Sequence, residues 1–171
     1  MRVTYEVKRW GIGELWADDG RLVWHELPTR PGPPHASSHF QPTAKGATSV
    51  NRARVGSVSI SELAVRLSAY FAGESVSFED VELDLSWATP FQQAIAGQLC
   101  LVPYGETVTY GELAALAGYP NAQRAAGTFC AHNRFPILLP CHRVVAAGGV
   151  GSYGMLGVAY KRRLLELEHA L

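Results

Sequence analysis

The sequence has little of what marks secreted, membrane or metal-binding proteins. Only three of its 171 residues are cysteine, and they show no metal-ligand or disulfide-framework spacing. No apolar run approaches the length that crosses a bilayer, and the first residues do not resemble a secretory signal. We therefore expect a cytoplasmic or nucleoid-associated protein with no bound metal, no cofactor and no membrane partner.

An excess of positive charge is also missing, because 15 Lys and Arg residues balance 15 Asp and Glu residues. A net charge of zero provides no overall attraction to nucleic acid. Residues 1–87 contain 9 basic and 11 acidic side chains, whereas residues 88–171 contain 6 basic and 4 acidic ones. A polyanionic partner would therefore meet the second half of the chain.

The first half predicts a small antiparallel α+β domain over residues 1–87. Asp19-Gly20 is a hairpin signal, and Trp16, Leu22 and Trp24 are expected on the buried faces of its strands. The predicted elements are strands over 3–7, 12–17 and 21–27, a long surface loop over about 28–57, an amphipathic helix over 61–72 and a strand over 76–85.

Three histidines, His25, His35 and His39, lie in or beside the predicted loop. They have no cysteine or carboxylate neighbours at ligand spacing, so we interpret them as solvated loop residues and not as metal ligands. We assign no chemistry to this domain.

The second half, residues 88–171, predicts a mainly helical domain. Thr89-Pro90 is typical of a helix start, and Thr109 with Glu112 forms a capping box at the start of a second helix. Asn121 is the expected N-cap of a third helix over 122–131. Two short helices joined by a glycine-containing turn fit a helix-turn-helix, although an ordinary helical hairpin fits this spacing equally well.

The third predicted helix has a smooth face of small residues, with Arg124 as the single cation near its start. A helix that reads the major groove would be expected to carry several long polar side chains. The residues instead favour contact with the minor groove and insertion of Arg124 into the base stack, which suits a protein that extrudes a base. A transcription factor is correspondingly disfavoured.

A cysteine–histidine pair, Cys141-His142, follows an apolar run and Pro140. A thiolate is a nucleophile, His142 could act as its base and Arg143 adds positive charge, although an inert buried cysteine is the alternative. Glu168, on a helix predicted over 158–169, could orient His142. The residues alone favour a solvated face for Glu168, shared with Lys161, Arg162 and Arg163. The glycine-rich segment 148–154 lacks the lysine and the context of a phosphate-binding loop.

Pro140-Cys141-His142-Arg143-Val144 resembles the active-site signature of the 6-O-alkylguanine-DNA alkyltransferases, and spaced matches extend over residues 89–168. The resemblance implies an N-terminal α+β domain of the ribonuclease H-like kind and a C-terminal domain with a helix-turn-helix. It also implies direct-reversal repair, in which an alkyl group passes from guanine to cysteine once per protein molecule. The implied partner is double-stranded DNA that contains 6-O-alkylguanine, bound through its minor groove by a monomer. Clustering of several copies on DNA stays open.

The resemblance also assigns roles to single residues. Cys141 would accept the alkyl group, and His142 would remove the thiol proton through a water molecule, with Glu168 as its acidic partner. Asn133 would act as a hinge beside the cysteine. The implied DNA contacts are Tyr110, which also donates a proton to the base, Arg124, which fills the stack, and Ala122, Gln123, Ala125 and Gly127. The implied pocket lining is Pro136, Val144, Tyr153, Gly154, Met155 and Lys161.

One departure, one expectation for the other two cysteines and two alternative functions accompany the resemblance. Gly154 stands where many members have serine, so only a backbone donor is available there. We expect Cys100 and Cys130 to be small core residues. The alternative functions are a lesion sensor that flips alkylguanine without transferring the group, which Cys141 argues against, and a Cys-His hydrolase, which would leave the helix-turn-helix without a purpose.

Overall fold

The computed structural model describes residues 1–30 and 54–171, and the chain divides into two compact units. The first unit is Met1–Asp84 and the second is Leu85–Leu171, so the division falls close to the predicted boundary near Trp87. The expected α+β class is confirmed, because an antiparallel sheet forms in the first unit and helices dominate the second. No helix in the described part of the chain is both long and apolar enough to span a membrane.

The first unit is built on a three-stranded antiparallel sheet with the strand order β1-β2-β3. Its strands are β1 (Arg2–Val7), β2 (Gly11–Asp18) and β3 (Arg21–Thr29). Asp19 and Gly20 connect β2 to β3 with φ angles of 44° and 75°. A two-residue hairpin turn of type I′ needs positive φ at both positions, so the predicted hairpin is confirmed.

The buried face of this sheet differs from the predicted one. Leu15, Ala17 and Leu22 are buried, whereas Trp16 and Trp24 pair across β2 and β3 and are only half-buried. Side chains alternate between the two faces of a strand, so burial of Leu15 and Ala17 turns Trp16 to the other face. The prediction that Trp16 and Trp24 fill the core was therefore wrong.

Helix α1 (Ile60–Phe71) covers the sheet through an apolar stripe that includes Leu63, Leu67 and Tyr70. The side chain of Ser59 accepts a hydrogen bond from the Glu62 N–H at 3.1 Å and caps the helix. The predicted amphipathic helix is confirmed.

The predicted strand over residues 76–85 does not form, because its backbone bonds to other segments at separate points and not along a continuous neighbouring strand. The Ser57 N–H donates to the Asp80 carbonyl at 3.4 Å, and two further bonds are made with Leu22. The Leu22 N–H donates to the Glu82 carbonyl, and the Asp84 N–H donates to the Leu22 carbonyl, both at 2.8 Å. An alternating pattern without a longer neighbouring strand therefore produces a single bridge, between Leu22 and Leu83.

Two further predictions for the first unit were wrong. The end of the predicted loop forms a short hairpin, β4 (Arg54–Val55) with β5 (Val58–Ser59). His25 is not solvated: it is 1% exposed, and its Nε2 shares a hydrogen bond of 2.6 Å with the Tyr5 hydroxyl. His35 and His39 lie outside the described residues.

The second unit contains α2 (Pro90–Cys100), α3 (Tyr110–Leu116), α4 (Gln123–Ala131) and α5 (Gly157–Leu167). Capping boxes begin α2 and α3: Thr89 pairs with Gln92, and Thr109 pairs with Glu112. Both helix starts were predicted, the first from Thr89-Pro90 and the second from the capping box of Thr109 with Glu112. Helices α3 and α4 pack together across a short turn, as a helix-turn-helix requires.

The start of α4 differs from the prediction. Asn121 has a φ of 69°, a left-handed conformation that asparagine tolerates. Ala122 is the N-cap and makes no side-chain capping hydrogen bond. Asn121 therefore belongs to the turn, and its predicted role as N-cap was wrong.

Two short parallel strands bring distant parts of the second unit together. Strand β6 (Val108–Thr109) pairs with β7 (Val144–Val145). A 3-10 turn over Cys141–Arg143 leads directly into β7, and α3 follows β6 directly. Tyr110, the first residue of α3, is thereby placed beside the segment that carries Cys141.

Candidate active site

Cys141 begins the 3-10 turn and is 4% exposed. Its N–H donates to the Leu139 carbonyl at 2.7 Å, which closes a tight bend around Pro140. The apolar residues before the bend are buried, so they anchor the segment and leave the sulfur in a fixed place. The cysteine is therefore held by its backbone and not by packing of the thiol alone.

Asn133 joins the end of the helix-turn-helix to this bend. Its Nδ2 donates to the Leu139 carbonyl at 2.7 Å and to the Cys141 Sγ at 3.1 Å, while its Oδ1 accepts from the Phe135 N–H at 2.9 Å. The amide thus fixes its own segment and the bend, and it provides a donor to the sulfur. Such a donor stabilises a thiolate more than a thiol.

His142 points away from solvent toward α5, where Glu168 follows the last helical residue. Its Nε2 lies 2.7 Å from Glu168 Oε1, and the two residues are 0% and 1% exposed. An ionised carboxylate only accepts hydrogen bonds, so Nε2 carries the proton and the lone pair of the neutral ring is on Nδ1. Glu168 therefore sets the tautomer that a general base needs.

Arg143 is the second partner of Glu168. Its Nε and Nη2 donate to the two carboxylate oxygens at 2.9 and 3.0 Å, and its Nη1 donates to the Val102 carbonyl at 2.6 Å. The Gly105 N–H adds a contact of 3.3 Å to Glu168. The Arg143 guanidinium therefore pairs with the Glu168 carboxylate. The expectation that Arg143 places its positive charge beside the sulfur was wrong.

The interpretation of Glu168 and Lys161 as a solvated face was also wrong. Lys161 is 0% exposed, and its Nζ donates to the Val144 carbonyl at 2.6 Å and to the Ser152 carbonyl at 3.3 Å. The sequence did contain a signal that Lys161 and Glu168 are buried. Positions 161, 164, 165 and 168 form the inward stripe of a helix, and two of these four positions hold charged residues.

The protonation states of the resting site follow from burial. Desolvation raises the pKa of the Cys141 thiol, and the Asn133 amide, the Tyr153 phenol and the Lys161 charge oppose this rise. Desolvation lowers the pKa of His142, against the pull of Glu168. The resting pair is therefore a thiol and a neutral imidazole, and the thiolate forms only when a base takes the proton.

Stability should depend on pH through His142. The unfolded histidine binds a proton near pH 6.5, whereas the folded one stays neutral to lower pH, so the unfolded state binds more protons in that interval. We expect the free energy of unfolding to fall as pH drops from 7 to 5.5, by at most about 1.4 kcal/mol per pH unit from this group. Denaturant titrations of wild type and His142→Asn test this, since the variant should show a shallower slope.

Tyr110 is the first residue of α3, which follows the strand that pairs with the cysteine-bearing segment. Desolvation raises the pKa of its phenol to about 12, so the hydroxyl keeps its proton at neutral pH. The Lys161 Nζ lies 5.6 Å from the centroid of the Tyr110 ring. A proton donor and a buried cation therefore lie close together in the same region.

The predicted pocket residues are only partly brought together. Val144 is fully buried, whereas Pro136 and Tyr153 are half-buried. Gly154 is exposed and Met155 is 82% exposed, so the structure does not bring these two residues into the buried group.

The helix-turn-helix presents the predicted contact residues on its surface. Gln123, Arg124 and Ala125 are exposed, whereas Ala122 and Gly127 are half-buried. An open cleft of about 600 Å³ runs along this face. Its lining includes Tyr110, Asn121, Gln123, Arg124 and Ala146. The cleft thus connects the surface of α4 to the tyrosine of the buried site.

The two other cysteines differ from the cysteine of the site. Cys100 is exposed at the end of α2, so its prediction as a core residue was wrong. Cys130 is half-buried, and burial raises the pKa of its thiol. Among the described residues there is no group of three or more His, Cys, Asp and Glu side chains that could hold a metal ion.

The second unit thus joins a helix-turn-helix to a buried group of cysteine, histidine and glutamate. Residues 90–170 match the family described as 6-O-methylguanine DNA methyltransferase, DNA binding domain. The chain is 43% identical over 130 residues to a methylated-DNA–protein-cysteine methyltransferase of Mycolicibacterium paratuberculosis, covering 75% of this chain and 73% of that protein. The chain belongs to the methylated-DNA–protein-cysteine methyltransferase family.

Further relatives agree with this placement. The protein of that name from Mycobacterium tuberculosis (strain H37Rv) is 52% identical over 104 residues, which cover 60% of this chain and 61% of the relative, less than two thirds of its length. A crystal structure of Mycobacterium tuberculosis OGT in complex with DNA superposes with a TM-score of 0.73 at 38% identity, over 99% of this chain and 92% of that one.

Proposed function

We propose that this protein repairs 6-O-alkylguanine in nucleoid DNA by moving the alkyl group irreversibly to Cys141. The observation that carries the proposal is the Cys141 thiol itself, which contacts Asn133 at 3.1 Å and precedes a histidine that is locked to Glu168. Membership of the family and the helix-turn-helix support double-stranded DNA as the partner.

The proposed chemistry is a displacement at carbon. Nδ1 of His142 takes the thiol proton through a water molecule, and the sulfur attacks the alkyl carbon. The carbon–oxygen bond breaks, and its electron pair stays with guanine. The Tyr110 phenol donates a proton to the leaving base, so guanine departs as a neutral species. A thioether on Cys141 remains, so each molecule reacts once.

The base must leave the duplex before it can reach a sulfur that is 4% exposed. The smooth surface of α4 suits the minor groove, and the exposed Arg124 suits the space that the base leaves behind. Asn133 follows α4 directly and contacts the sulfur, so the same segment that meets DNA also positions the nucleophile.

The test is a transfer assay with a duplex that carries one isotopically labelled 6-O-methylguanine. We expect label to move to the protein up to one equivalent and then stop. No transfer, despite normal affinity for the lesion, would instead support a sensor. Turnover of an activated ester beyond one equivalent would support a hydrolase. The same duplex with unmodified guanine is the control.

Replacing Arg124 by alanine should weaken transfer from duplex DNA more than transfer from the free alkylated base. Loss of the side chain that fills the stack leaves the cost of unstacking uncompensated, so we expect roughly a 10- to 100-fold slower reaction with duplex. Single-turnover rates on both substrates measure the effect. Arg21→Ala removes the same charge from the first unit and should change neither rate. Equal losses on both substrates for Arg124→Ala would contradict the role in the stack.

Replacing Tyr110 by phenylalanine should slow transfer on the order of 100-fold, because the leaving guanine loses its proton donor. Duplex affinity should change little, since the ring remains. Single-turnover rates and a binding titration on the lesion duplex separate the two effects. Tyr119→Phe, in the turn before α4, is the matched control. An unchanged rate in Tyr110→Phe would remove the phenol from the mechanism.

A further inference from the structure

His132 ends the helix that carries Arg124, and one hydrogen bond holds its ring in place. It is the C-cap of α4 and is exposed. Its Nδ1 lies 2.8 Å from the Thr128 carbonyl oxygen. A carbonyl oxygen only accepts hydrogen bonds, so Nδ1 carries a proton and donates to that oxygen. The other ring nitrogen, Nε2, makes no hydrogen bond to any residue that the structure describes, so it is available to a partner from solution.

The position of His132 on α4 separates it from the side chain that is proposed to enter the base stack. His132 follows Arg124 by eight residues, which gives a rise of about 12 Å and a rotation of about 80° beyond two full turns. The exposed residues Arg124, Thr128 and His132 therefore form a row that winds from the outer surface of α4 to one flank of the helix. When Arg124 points at DNA, His132 lies at the side of the helix.

The flank of a helix that lies over the minor groove meets phosphates and not bases. A helix with its side chains is about 10–12 Å across, whereas the minor groove of B-form DNA is about 6 Å wide. The flanks of the helix therefore cover the sugar–phosphate strands that border the groove. Contacts to these strands fix the register of a protein on the duplex without reading its sequence. His132 is placed for a contact of this kind.

Thr128 does not compete with His132 for a phosphate. It is exposed between Arg124 and His132, but its hydroxyl donates to the Arg124 carbonyl at 3.0 Å. Phosphate oxygens accept hydrogen bonds, and a hydroxyl whose proton is already used has none to give them. Arg124 is the only lysine or arginine of α4. Nε2 of His132 is therefore the side-chain donor that this flank can present.

We propose that His132 binds a DNA phosphate through Nε2 and so fixes α4 on the strand that borders the minor groove. The proposal rests on the proposed function for the docking of α4 on duplex DNA, but not on alkyl transfer. Nδ1 already donates to the Thr128 carbonyl, so Nε2 can donate only when the ring holds a second proton, which it takes up from solvent on binding. The contact therefore adds a second positive charge to the face of α4 that carries Arg124.

The salt dependence of duplex affinity counts phosphate contacts and needs no alkyl transfer. The logarithm of the association constant is measured against the logarithm of the salt concentration on an unmodified duplex, for wild type, His132→Gln and His132→Lys. Loss of one phosphate contact should flatten this slope by about 0.9. We expect that change in His132→Gln, with about 3- to 10-fold weaker binding at physiological salt. His132→Lys keeps a cation at this position and should keep the wild-type slope.

The control and the contrary results are specific to the phosphate contact. His169→Gln removes another exposed histidine, beyond the end of α5, and should keep the wild-type slope. A wild-type slope in His132→Gln would overturn the proposal even if binding were weaker, because His132 would then act only by capping α4. A flattened slope in His132→Lys would contradict it as well, since a cation at this position would have no phosphate to meet.

Single-turnover transfer separates this contact from the chemical step. On a duplex with 6-O-methylguanine, His132→Gln should raise the DNA concentration that gives half the maximal rate by about 3- to 10-fold, and it should keep the maximal rate. A lower maximal rate with unchanged half-saturation would place His132 in the chemistry and contradict the proposal. If the wild type transfers no alkyl group, the proposed function fails, while the salt slope still decides the role of His132. If the wild type binds no duplex, both proposals fail.

Discussion

Cys141→Ser is expected to abolish alkyl transfer while the protein still folds and still binds the lesion. Serine has nearly the same shape and can keep the hydrogen bond from Asn133, which lies 3.1 Å from the sulfur in the wild type. A hydroxyl ionises far less readily than a thiol, so far less of the anionic nucleophile is available when His142 acts as the base. We expect the rate to fall by more than about 10⁴-fold, as when other enzymes lose their nucleophile.

The measurement combines single-turnover transfer with a binding titration on the same lesion duplex. Cys100→Ser and Cys130→Ser are matched controls, and both should transfer at close to the wild-type rate. If Cys141→Ser binds the lesion as the wild type does but leaves it intact, binding and chemistry are separated. Transfer by Cys141→Ser at even one tenth of the wild-type rate would show that another group accepts the alkyl group.

The second large effect is expected for Glu168→Ala. Glu168 is 1% exposed and accepts hydrogen bonds from His142, from Arg143 through two nitrogens, and from the Gly105 backbone. Its removal leaves Arg143 as a charge without its carboxylate in a nearly buried place. Breaking a buried pair from one side costs about 3–5 kcal/mol, and we expect that loss in the free energy of unfolding.

Glu168→Gln separates the contribution of Glu168 to stability from its contribution to alkyl transfer. The amide keeps the shape and one acceptor, but it removes the charge that favours Nε2–H and the imidazolium. We expect slower transfer with a smaller loss of stability than in Glu168→Ala. Glu166→Ala, on the exposed side of α5, is the control and should change neither quantity. Denaturant unfolding measures the stability of each Glu168 variant, and single-turnover assays measure its transfer rate. Wild-type stability in Glu168→Ala would show that the buried network contributes little.

Rules that use only neighbouring residues predicted the helices and the hairpin whose ends are fixed by contacts between residues close in sequence. Thr89-Pro90 placed the start of α2, and the capping box of Thr109 with Glu112 placed the start of α3, because the residues involved are close in sequence. Asp19-Gly20 placed the hairpin for the same reason. The strand predicted over 76–85 failed because a strand needs a continuous partner, and this segment forms only an isolated bridge, between Leu83 and Leu22.

The candidate site was predictable in its residues but not in its contacts. The signature around Cys141 identified the nucleophile and its neighbours along the chain. The partner of Arg143 could not be predicted, because a charge beside a cysteine can face either the sulfur or the opposite side of the turn. Here it faces Glu168, 25 residues away in sequence.

The most direct test of the account is the mass of the tryptic peptide 135–143 after incubation with a duplex that contains one 6-O-methylguanine. Cys141 is its sole cysteine, while Cys100 and Cys130 fall on other peptides. The account predicts that this peptide gains the mass of one methylene group, in proportion to the lesion repaired, and that the other two stay unchanged. A methylene on either of the other peptides, or on none, would contradict it.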